Sequence, residues 1–165
     1  MTSWQILAAD YQHPAHQRAI PVLLNAYAQD PMGGGEALAT EVQAGLVPAL
    51  AKRPDALTLL AFAGEEPIGL LNAFEGFSTF ACQPLINIHD IYVAPDFRGQ
   101  GICAALITKL EAIARQRQCC KITLEVLSGN PGAQKSYQRL GFAPYVLDPT
   151  LGQAEFWEKK LQKNL

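Results

Sequence analysis

The chain has 165 residues, of which 49% are hydrophobic and 17% are charged, so it can bury one hydrophobic core and is unlike an intrinsically disordered protein. Its 13 Lys and Arg against 15 Asp and Glu give a net charge of −2, which argues against a protein that binds nucleic acid by neutralising phosphates. Its apolar runs fall short of the roughly 20 residues of a transmembrane helix, so we expect no membrane association.

The N-terminus and the cysteines indicate a cytoplasmic protein. Residues 1–10 lack the basic start and the cleavage site of a signal peptide. The four cysteines stand at positions 82, 103, 119 and 120. Their spacing is not that of zinc ligands, and adjacent cysteines rarely reach disulfide geometry. We therefore expect reduced thiols, no metal site and a single domain over residues 1–165.

The periodicity of the hydrophobic residues predicts both strands and helices. In chain order these are a strand at 4–8, helices at 14–29 and 36–51, strands at 57–63, 68–74 and 85–93, a helix at 101–117, a strand at 121–127, a helix at 131–140, and strands at 142–146 and 154–160. Residues 76–84 are predicted as a loop. Antiparallel strands come first and one β-α-β unit follows, so we expect an α/β domain with a mixed, mostly antiparallel sheet flanked by helices.

Two interruptions of this pattern carry predictions of their own. Pro48 lies inside the second helix and predicts a kink or an early end. Residues 30–35, Asp-Pro-Met-Gly-Gly-Gly, separate the first two helices. We interpret them either as a mobile flap over a binding site or as a plain turn between helices.

The strongest functional signal is the loop between the strand at 85–93 and the helix at 101–117. Residues 93–101 read Val-Ala-Pro-Asp-Phe-Arg-Gly-Gln-Gly. Glycines let the backbone approach a ligand, a helix N-terminus offers free N–H groups and partial positive charge, and Arg98 adds a charged fork. These features predict a diphosphate site; the alternative is an ordinary glycine-rich turn with a surface arginine.

A dinucleotide-binding loop is a further alternative. Gly99, Gly101 and Ala104 fit the pattern G-x-G-x-x-A, and Glu125 follows on the next strand. That fold, however, passes directly from the strand to the first glycine, whereas residues 94–98 intervene here. It also requires several consecutive β-α units, and this chain has room for about one.

The pattern Val93-x-Pro95-x-x-Arg98-Gly99-x-Gly101 resembles the acetyl-CoA loop of the GNAT family of N-acetyltransferases. A second signature of that family, N-x-x-A-x-x-x-Y-x-x-L-G-F, is matched by residues 130–142. The resemblance covers residues 57–145, and residues 1–56 correspond to the family's variable, acceptor-facing part. It implies a GNAT-like fold in which two parallel strands splay apart and hold acetyl-CoA between them.

The resemblance also implies which residues bind acetyl-CoA, the expected cosubstrate. The strand at Ile91, Tyr92 and Val93 would hold the pantetheine arm through its main chain. The diphosphate would lie on Arg98, Gly99, Gln100, Gly101, Ile102, Cys103 and Ala104. The second signature would contribute Asn130, Ala133 and Tyr137, with Asn130 bonding the pantetheine arm, capping the short helix, or both. Cys103 departs from the family's Gly or Ala, and we interpret it as a small packing residue rather than a reactive thiol.

The family transfers the acetyl group directly to an amine, which must lose a proton before it attacks. Tyr137 matches the family's general acid, which protonates the departing thiolate; the alternative is a tyrosine packed in the core. Four residues compete as the base, in the order Glu125, His89, Asp90 and Glu75, and each of them is alternatively a hydrogen-bonded residue of the sheet.

Two branches of the family suggest these candidates. The segment around Glu125 resembles the ribosomal-protein N-terminal acetyltransferases, whose base is a Glu on this strand. The segment around His89 and Asp90 resembles the polyamine and diamine acetyltransferases, with His89 in place of their Glu. Strand alternation sends His89 and Asp90 to opposite faces unless a bulge intervenes, so we expect one of them to face the substrate. Glu75 ends the preceding strand and can approach the same cleft.

The sequence therefore predicts an enzyme that acetylates a primary amine of a small molecule or peptide. The alternative is a non-catalytic protein that binds acyl-CoA as a sensor or an assembly factor. Members of the family often form dimers, so a homodimer is a further expectation. The apolar residues 74–80 are candidates for an interface or for the wall of an acceptor cleft.

Overall fold

A computed structural model describes residues 3–161. Five strands form one sheet in the order β1-β2-β3-β4-β5. They are β1 Gln5–Ala8, β2 Ala56–Ala63, β3 Glu66–Ser78, β4 Gln83–Val93 and β5 Ile122–Leu124. All neighbours are antiparallel except β4 and β5, which are parallel. The predicted mixed, mostly antiparallel sheet is confirmed.

Four α-helices accompany the sheet within residues 3–161. They are α1 Pro14–Gln29, α2 Thr40–Ala51, α3 Ile102–Gln116 and α4 Pro131–Arg139. The prediction placed the start of α2 four residues too early, at residue 36. An early end of α2 at Pro48 was also wrong, because the helix continues past it to Ala51.

Strand alternation gives the sheet two different faces. On one of them, Leu60, Leu70 and Tyr92 form a buried cluster with residues of α1 and α2 such as Ile20 and Leu50. We call this the α1 face. Each fully buried leucine of this kind contributes about 1.5–3 kcal/mol to the stability of the fold.

Helix α3 covers the opposite face, which we call the α3 face. A Cβ on Gly69 would lie 3.4 Å from Cγ2 of Ile102 and 3.1 Å from the Cβ of Ala61. The start of α3 therefore packs closely against β3, and a small residue at position 69 permits this approach. Leu106 and Leu110 follow on the same helix and are fully buried.

The predicted loop at 76–84 is shorter than expected. β3 extends to Ser78 and β4 begins at Gln83, and Cys82 in the turn adopts a positive φ of 50°. Phe77, near the end of β3, and Phe80, in the turn, are exposed. The strand predicted at 121–127 is likewise reduced to Ile122–Leu124.

The chain divides into two compact units, Met1–Leu124 and Glu125–Leu165. The first contains the whole sheet and helices α1 to α3. The second contains α4 and a 3₁₀ turn at Pro149–Leu151. The ends of the predicted domain, residues 1–2 and 162–165, lie outside the described residues.

The two strands predicted at 142–146 and 154–160 do not form, and this part of the prediction was wrong. Proline at position 144 has no N–H to donate to a ladder, which disfavours pairing in the first segment. The Ala154 N–H still donates to the Tyr145 carbonyl at 3.4 Å. Large apolar side chains such as Phe156 and Trp157 are exposed in this region.

No helix within residues 3–161 is both long and apolar enough to cross a membrane. All four cysteines are free thiols.

Candidate active site

The loop from β4 to α3 has the backbone shape expected of an anion site. Gly99 and Gly101 adopt positive φ angles of 76° and 84°, which side chains larger than glycine rarely tolerate. A Cβ at either position would meet nothing within 4 Å, so the space beside the loop is open. Gly101 is the N-cap of α3 and supplies no side-chain cap, so the first N–H groups of α3 have no partner within the helix.

Arg98, the charged residue of this loop, is held by two hydrogen bonds. Its Nε donates to the Val93 carbonyl at 2.9 Å, and one Nη donates to Asp30 Oδ2 at 2.9 Å. Its guanidinium also lies 5.7 Å from the centre of the Tyr92 ring. The side chain is half exposed, so it is fixed in place but open to a ligand.

The segment predicted as a flap or a plain turn contains a hydrogen-bonded 3₁₀ turn. Residues Pro31–Gly33 form one 3₁₀ turn with Asp30 as its N-cap, and the Asp30 carbonyl accepts from the N–H groups of Gly33 and Gly35 at 2.8 and 3.1 Å. A Cβ on Gly33 would lie 1.9 Å from the Tyr27 carbonyl oxygen, so only glycine allows this packing. The Met32 N–H and the Arg98 guanidinium together hold the pKa of Asp30 below its usual range.

Cys103 lies in the first turn of α3 and is partly buried. Burial raises the pKa of its thiol, which favours the interpretation as a packing residue over that as a reactive thiol.

Strand β4 continues beyond the short stretch in which it pairs with β5. The two strands pair only from Ile86 to Ile88 on β4, and β4 continues to Val93. The Ala94 N–H donates towards β3, to the Ile68 carbonyl at 2.9 Å, so by alternation the main chain of Ile91 and Val93 points the other way. No strand within residues 3–161 pairs with this stretch, which we call the open edge of β4.

Tyr92 does not contribute its main chain to the open edge, unlike its two neighbours. It pairs with Leu70 of β3, and its side chain is buried on the α1 face, 6.0 Å from the Tyr27 ring. Its assignment as a cofactor residue is therefore not supported by its position. Its ring instead packs against the guanidinium of Arg98.

A β-bulge at His89 changes the expected orientation of two base candidates. Asn72 pairs with Asp90, but the next residue of β3, Ala73, pairs with Ile88, so His89 is the extra residue. Asp90 bonds to Asn72, and the His89 ring packs edge-on against Phe74 at 5.0 Å. Asn72 and Phe74 are two residues apart on β3, so both candidates lie on the α1 face. Strand alternation alone would have placed them on opposite faces, and the bulge is the exception that the sequence analysis allowed for.

Asp90 ends a row of polar side chains that crosses three strands of the α1 face. Its Oδ2 accepts from Asn72 Nδ2 at 3.1 Å, Asn72 Oδ1 accepts from Thr58 Oγ1 at 2.7 Å, and Thr58 Oγ1 lies 3.0 Å from the Tyr11 hydroxyl. Asn72 and Thr58 are almost completely buried. Burial raises the pKa of Asp90, although the bond from Asn72 and the nearby His89 partly oppose it.

Thr58 and Asn72 were not predicted as site residues. The signal was available, because each is a polar residue inside an otherwise apolar strand, in Ala-Leu-Thr-Leu-Leu and Leu-Leu-Asn-Ala-Phe. A polar side chain in such a run must find a partner when it is buried.

Glu75 does not share the face of Asp90 and His89. It lies an odd number of residues from Asn72 on β3, which places it on the α3 face. There its Oε2 accepts from Arg117 at 2.9 Å, just beyond the end of α3. The suggestion that Glu75 approaches the same cleft was therefore wrong.

In the second unit, the family signature builds the two ends of α4. The Asn130 side chain caps the helix, accepting from the Ala133 N–H at 3.1 Å. At the other end Gly141 has a φ of 88°, and the N–H groups of Phe142 and Gly141 donate to the carbonyls of Tyr137 and Gln138 at 3.0 and 3.1 Å. This is a Schellman ending.

Tyr137 and Glu125 also belong to this second unit. The Tyr137 ring packs against Phe142 at 6.0 Å, a contact that commonly accompanies a Schellman ending. Tyr137 is partly buried, and Glu125 is exposed at the start of the unit. Among residues 3–161 there is no group of three or more His, Cys, Asp or Glu that could hold a metal ion.

Comparison with known proteins agrees with this geometry. The chain is 32% identical over 83 residues to a thialysine N-epsilon-acetyltransferase from Caenorhabditis elegans, covering 50% of this chain and 51% of that one. It is 36% identical over 99 residues to a streptothricin acetyltransferase from Streptomyces lavendulae, covering 60% and 51%. The matches thus span about half the length of each of these curated relatives.

A solved aminoglycoside acetyltransferase from an uncultured soil metagenomic sample has the same fold. It superposes with a TM-score of 0.75 at 21% identity, over 97% of this chain and 99% of that one. The family model described as acetyltransferase (GNAT) family matches residues 20–142. Since this match covers most of the chain and includes both the β4–α3 loop and α4, the chain belongs to the GNAT acetyltransferase family.

Proposed function

We propose that the protein transfers the acetyl group of acetyl-CoA directly to a primary amine, most simply that of a small molecule. The observation that carries the proposal is the uncapped start of α3 behind two left-handed glycines, with open space beside them. A diphosphate is the natural ligand of such a loop.

The residues present fit acetyl-CoA. The N–H groups from Gly99 to Ala104 and the Arg98 guanidinium would hold its diphosphate, and the open edge of β4, at Ile91 and Val93, would bond the amides of its pantetheine arm. When bound, it supplies an activated acetyl thioester. Asn130 already caps α4, so in this proposal its first role is to fix the start of that helix.

The remaining chemistry is proton transfer by side chains of this chain. The acceptor must lose a proton to attack, and Asp90, His89 and Glu125 are the candidates to take it. Among these, Asp90 is the one whose pKa burial raises, a shift that makes a carboxylate a stronger base. Tyr137 would donate a proton to the departing thiolate, because a tyrosine hydroxyl is still protonated at neutral pH.

Two features favour a small cationic acceptor. The relatives named above act on thialysine and streptothricin, which fits a chain whose variable half faces the acceptor. The charge of Asp90 reaches Tyr27 of α1, whose pKa it helps to raise, so a carboxylate lies on the α1 face beside the open edge of β4. An ammonium group would be attracted there. We further infer a cytoplasmic location, in keeping with four free thiols.

The test is release of the CoA thiol from acetyl-CoA across a panel of amines, followed with a thiol reagent. The panel holds lysine, thialysine, streptothricin, diamines, polyamines and short peptides. We expect release with one class of amine, and none when the responding amine is already acetylated. Calorimetry with acetyl-CoA runs in parallel.

The two measurements separate the proposal from its alternative. Tight binding of acetyl-CoA without thiol release on any amine would support the sensor or assembly protein. Absence of binding would reject both. A homodimer stays a prediction from the family, which light scattering on the purified protein would test.

A further inference from the structure

The polar row on the α1 face has a fixed direction of hydrogen-bond donation. The Thr58 hydroxyl has one proton, and it is donated to Asn72 Oδ1. The Tyr11 hydroxyl, 3.0 Å away, must therefore donate to Thr58. With its carbonyl oxygen satisfied by Thr58, Asn72 turns its amide nitrogen towards Asp90. The row thus delivers an N–H donor to one carboxylate oxygen.

This arrangement crosses the sheet at a single level. Thr58 pairs with Asn72 in the register of β2 and β3, and Asn72 pairs with Asp90 in the register of β3 and β4. The bulge at His89 lies directly beside this level, and β4 becomes the open edge just beyond it. The side chains of Asn72 and Thr58, both nearly completely buried, therefore hold Asp90 at the point where the open edge begins.

We infer that Asn72 and Thr58 are positioning residues for Asp90, which hold its Oδ2 and keep it ionised so that the other oxygen serves the acceptor amine. This inference rests on the proposed function, since it assigns Asp90 to that reaction. An N–H donor on a carboxylate stabilises its charged form. Removal of the donor should therefore raise the pKa of Asp90 further and loosen its orientation.

Other titratable groups lie near Asp90. His89 is adjacent on the same strand and favours the ionised carboxylate. Tyr27 of α1 faces it, and burial, Asp90 and Asp30 all raise the pKa of that hydroxyl. Tyr11 closes the far end of the row, and burial raises its pKa as well. Both tyrosines therefore stay neutral across the pH range in which a carboxyl group titrates.

The direct test is a carbon-13 NMR titration of the Asp90 side-chain carboxyl in the full-length protein. It compares wild type with Asn72→Leu, Thr58→Val and Thr58→Ser. We expect the Asp90 pKa to rise in Asn72→Leu, to rise less in Thr58→Val, and to return towards wild type in Thr58→Ser, which restores the hydroxyl. Thr108→Val, the same change at an exposed position of α3, should leave it unchanged.

The second arm is the pH profile of kcat/KM with the responding amine. Because Asp90 must be ionised, activity is lost as the pH falls through its pKa, so the acid limb should move to higher pH in Asn72→Leu and Thr58→Val. At neutral pH kcat/KM should fall roughly tenfold in Asn72→Leu, the loss expected for one hydrogen bond to a charged group. Acetyl-CoA affinity should be unchanged.

The outcomes distinguish this inference from the proposed function. An Asp90 pKa that is the same in Thr58→Val and wild type overturns the positioning role, whether or not Asn72→Leu folds. A pKa that shifts while the acid limb stays in place removes Asp90 from the reaction and overturns the inference. If the Asp90 pKa shifts as expected but the protein releases no thiol with any amine, the hydrogen bonds of the row are confirmed. The link between the row and catalysis is then overturned, and the proposed function is rejected.

Discussion

Arg98 joins two parts of the first unit that are far apart in sequence. Its guanidinium bonds to Asp30, in the turn between α1 and α2, and to Val93, at the end of β4. A ligand that contacts Arg98 therefore contacts a side chain that is already oriented. Preorganised donors bind anions better than mobile ones because less conformational freedom is lost.

We predict that Arg98→Ala weakens acetyl-CoA binding by about 1–3 kcal/mol, through the loss of charge-assisted hydrogen bonds. Calorimetry would measure it. Arg53→Ala is the matched control, since Arg53 forms an exposed ion pair of similar length, 2.8 Å to Asp55, away from the loop. Asp30→Asn keeps Arg98 and removes only the charge of its partner. This variant separates the loss of the guanidinium from the loss of the ion pair that orients it. Equal affinity in wild type and Arg98→Ala would take Arg98 out of the site.

The ring of Tyr137 has a structural role at the end of α4. The ring packs against Phe142 at the Schellman ending of α4, and Tyr137→Phe preserves this contact while removing the hydroxyl. We predict that this variant keeps its acetyl-CoA affinity but has a much lower kcat. Parallel losses in kcat and affinity would instead indicate that the hydroxyl positions the ligand.

For individual residues, the sequence predicted roles that depend on the local sequence pattern. It did not predict roles that depend on pairing with a distant part of the chain. The role of Gly99 and Gly101 was readable, because they stand between a predicted strand and the start of a predicted helix, where glycines let the backbone approach a ligand. The bulge at His89 was not, because nothing local distinguishes an extra residue in one strand of a ladder. The Asp30–Arg98 ion pair joins residues 68 positions apart, a separation that no periodicity spans.

Among the elements, the β4–α3 loop lends itself to a test of backbone shape. Gly101 has a φ of 84° in the candidate site, and Gly64 has a φ of 61° in the turn between β2 and β3. A Cβ at either position meets nothing within 4 Å. Alanine should therefore cost about the same at both, roughly 1–2 kcal/mol of backbone strain.

We predict that Gly101→Ala weakens acetyl-CoA binding at least tenfold, whereas Gly64→Ala leaves it unchanged. The reason is that only the first alanine distorts the N–H groups at the start of α3 and occupies the space beside them. Melting curves would verify that both variants lose similar stability. Equal affinities in the two variants would show that the loop does not contact the ligand.

Element boundaries were predicted well where a hydrophobic face was buried and poorly elsewhere. Helices α1 and α3 have continuous apolar stripes, and their predicted limits agree with the structure to within one residue. The C-terminal segments 142–146 and 154–160 are rich in apolar residues but do not pair as strands. Composition alone thus favoured strands there, although Pro144 and Gly152 interrupt the segment.

For the whole molecule, binding of acetyl-CoA should appear as added stability. A ligand present at 100 times its dissociation constant stabilises the native state by about 2.7 kcal/mol, which for a chain of this size raises the melting temperature by roughly 5–10 °C. We predict such a shift with acetyl-CoA and with CoA, and none with NAD. A shift with NAD instead would favour a dinucleotide-binding loop over the diphosphate site proposed here.

The sheet gives the first unit a simple connectivity, because the order of its strands is the order of the chain. Neighbouring strands meet through short hairpins, except β1 and β2, which are separated by α1 and α2, and β4 and β5, which are separated by α3. The two helical excursions, α1 with α2 and α3, are thus the only breaks in this run of hairpins among the described strands of the sheet. Sequence patterns detect such excursions readily, and this explains why the overall architecture was predictable.

The open edge of β4 has a consequence for the protein in the cell. Unpaired main-chain groups along a strand are a template on which other extended chains can add, and proteins commonly cover or interrupt such edges to avoid aggregation. Between Ile91 and Val93 this sheet offers no neighbouring strand within residues 3–161. If the pantetheine arm binds there, the cosubstrate also covers a strand edge on which other chains could add. The supply of acetyl-CoA then affects both the rate of acetyl transfer and the solubility of the protein.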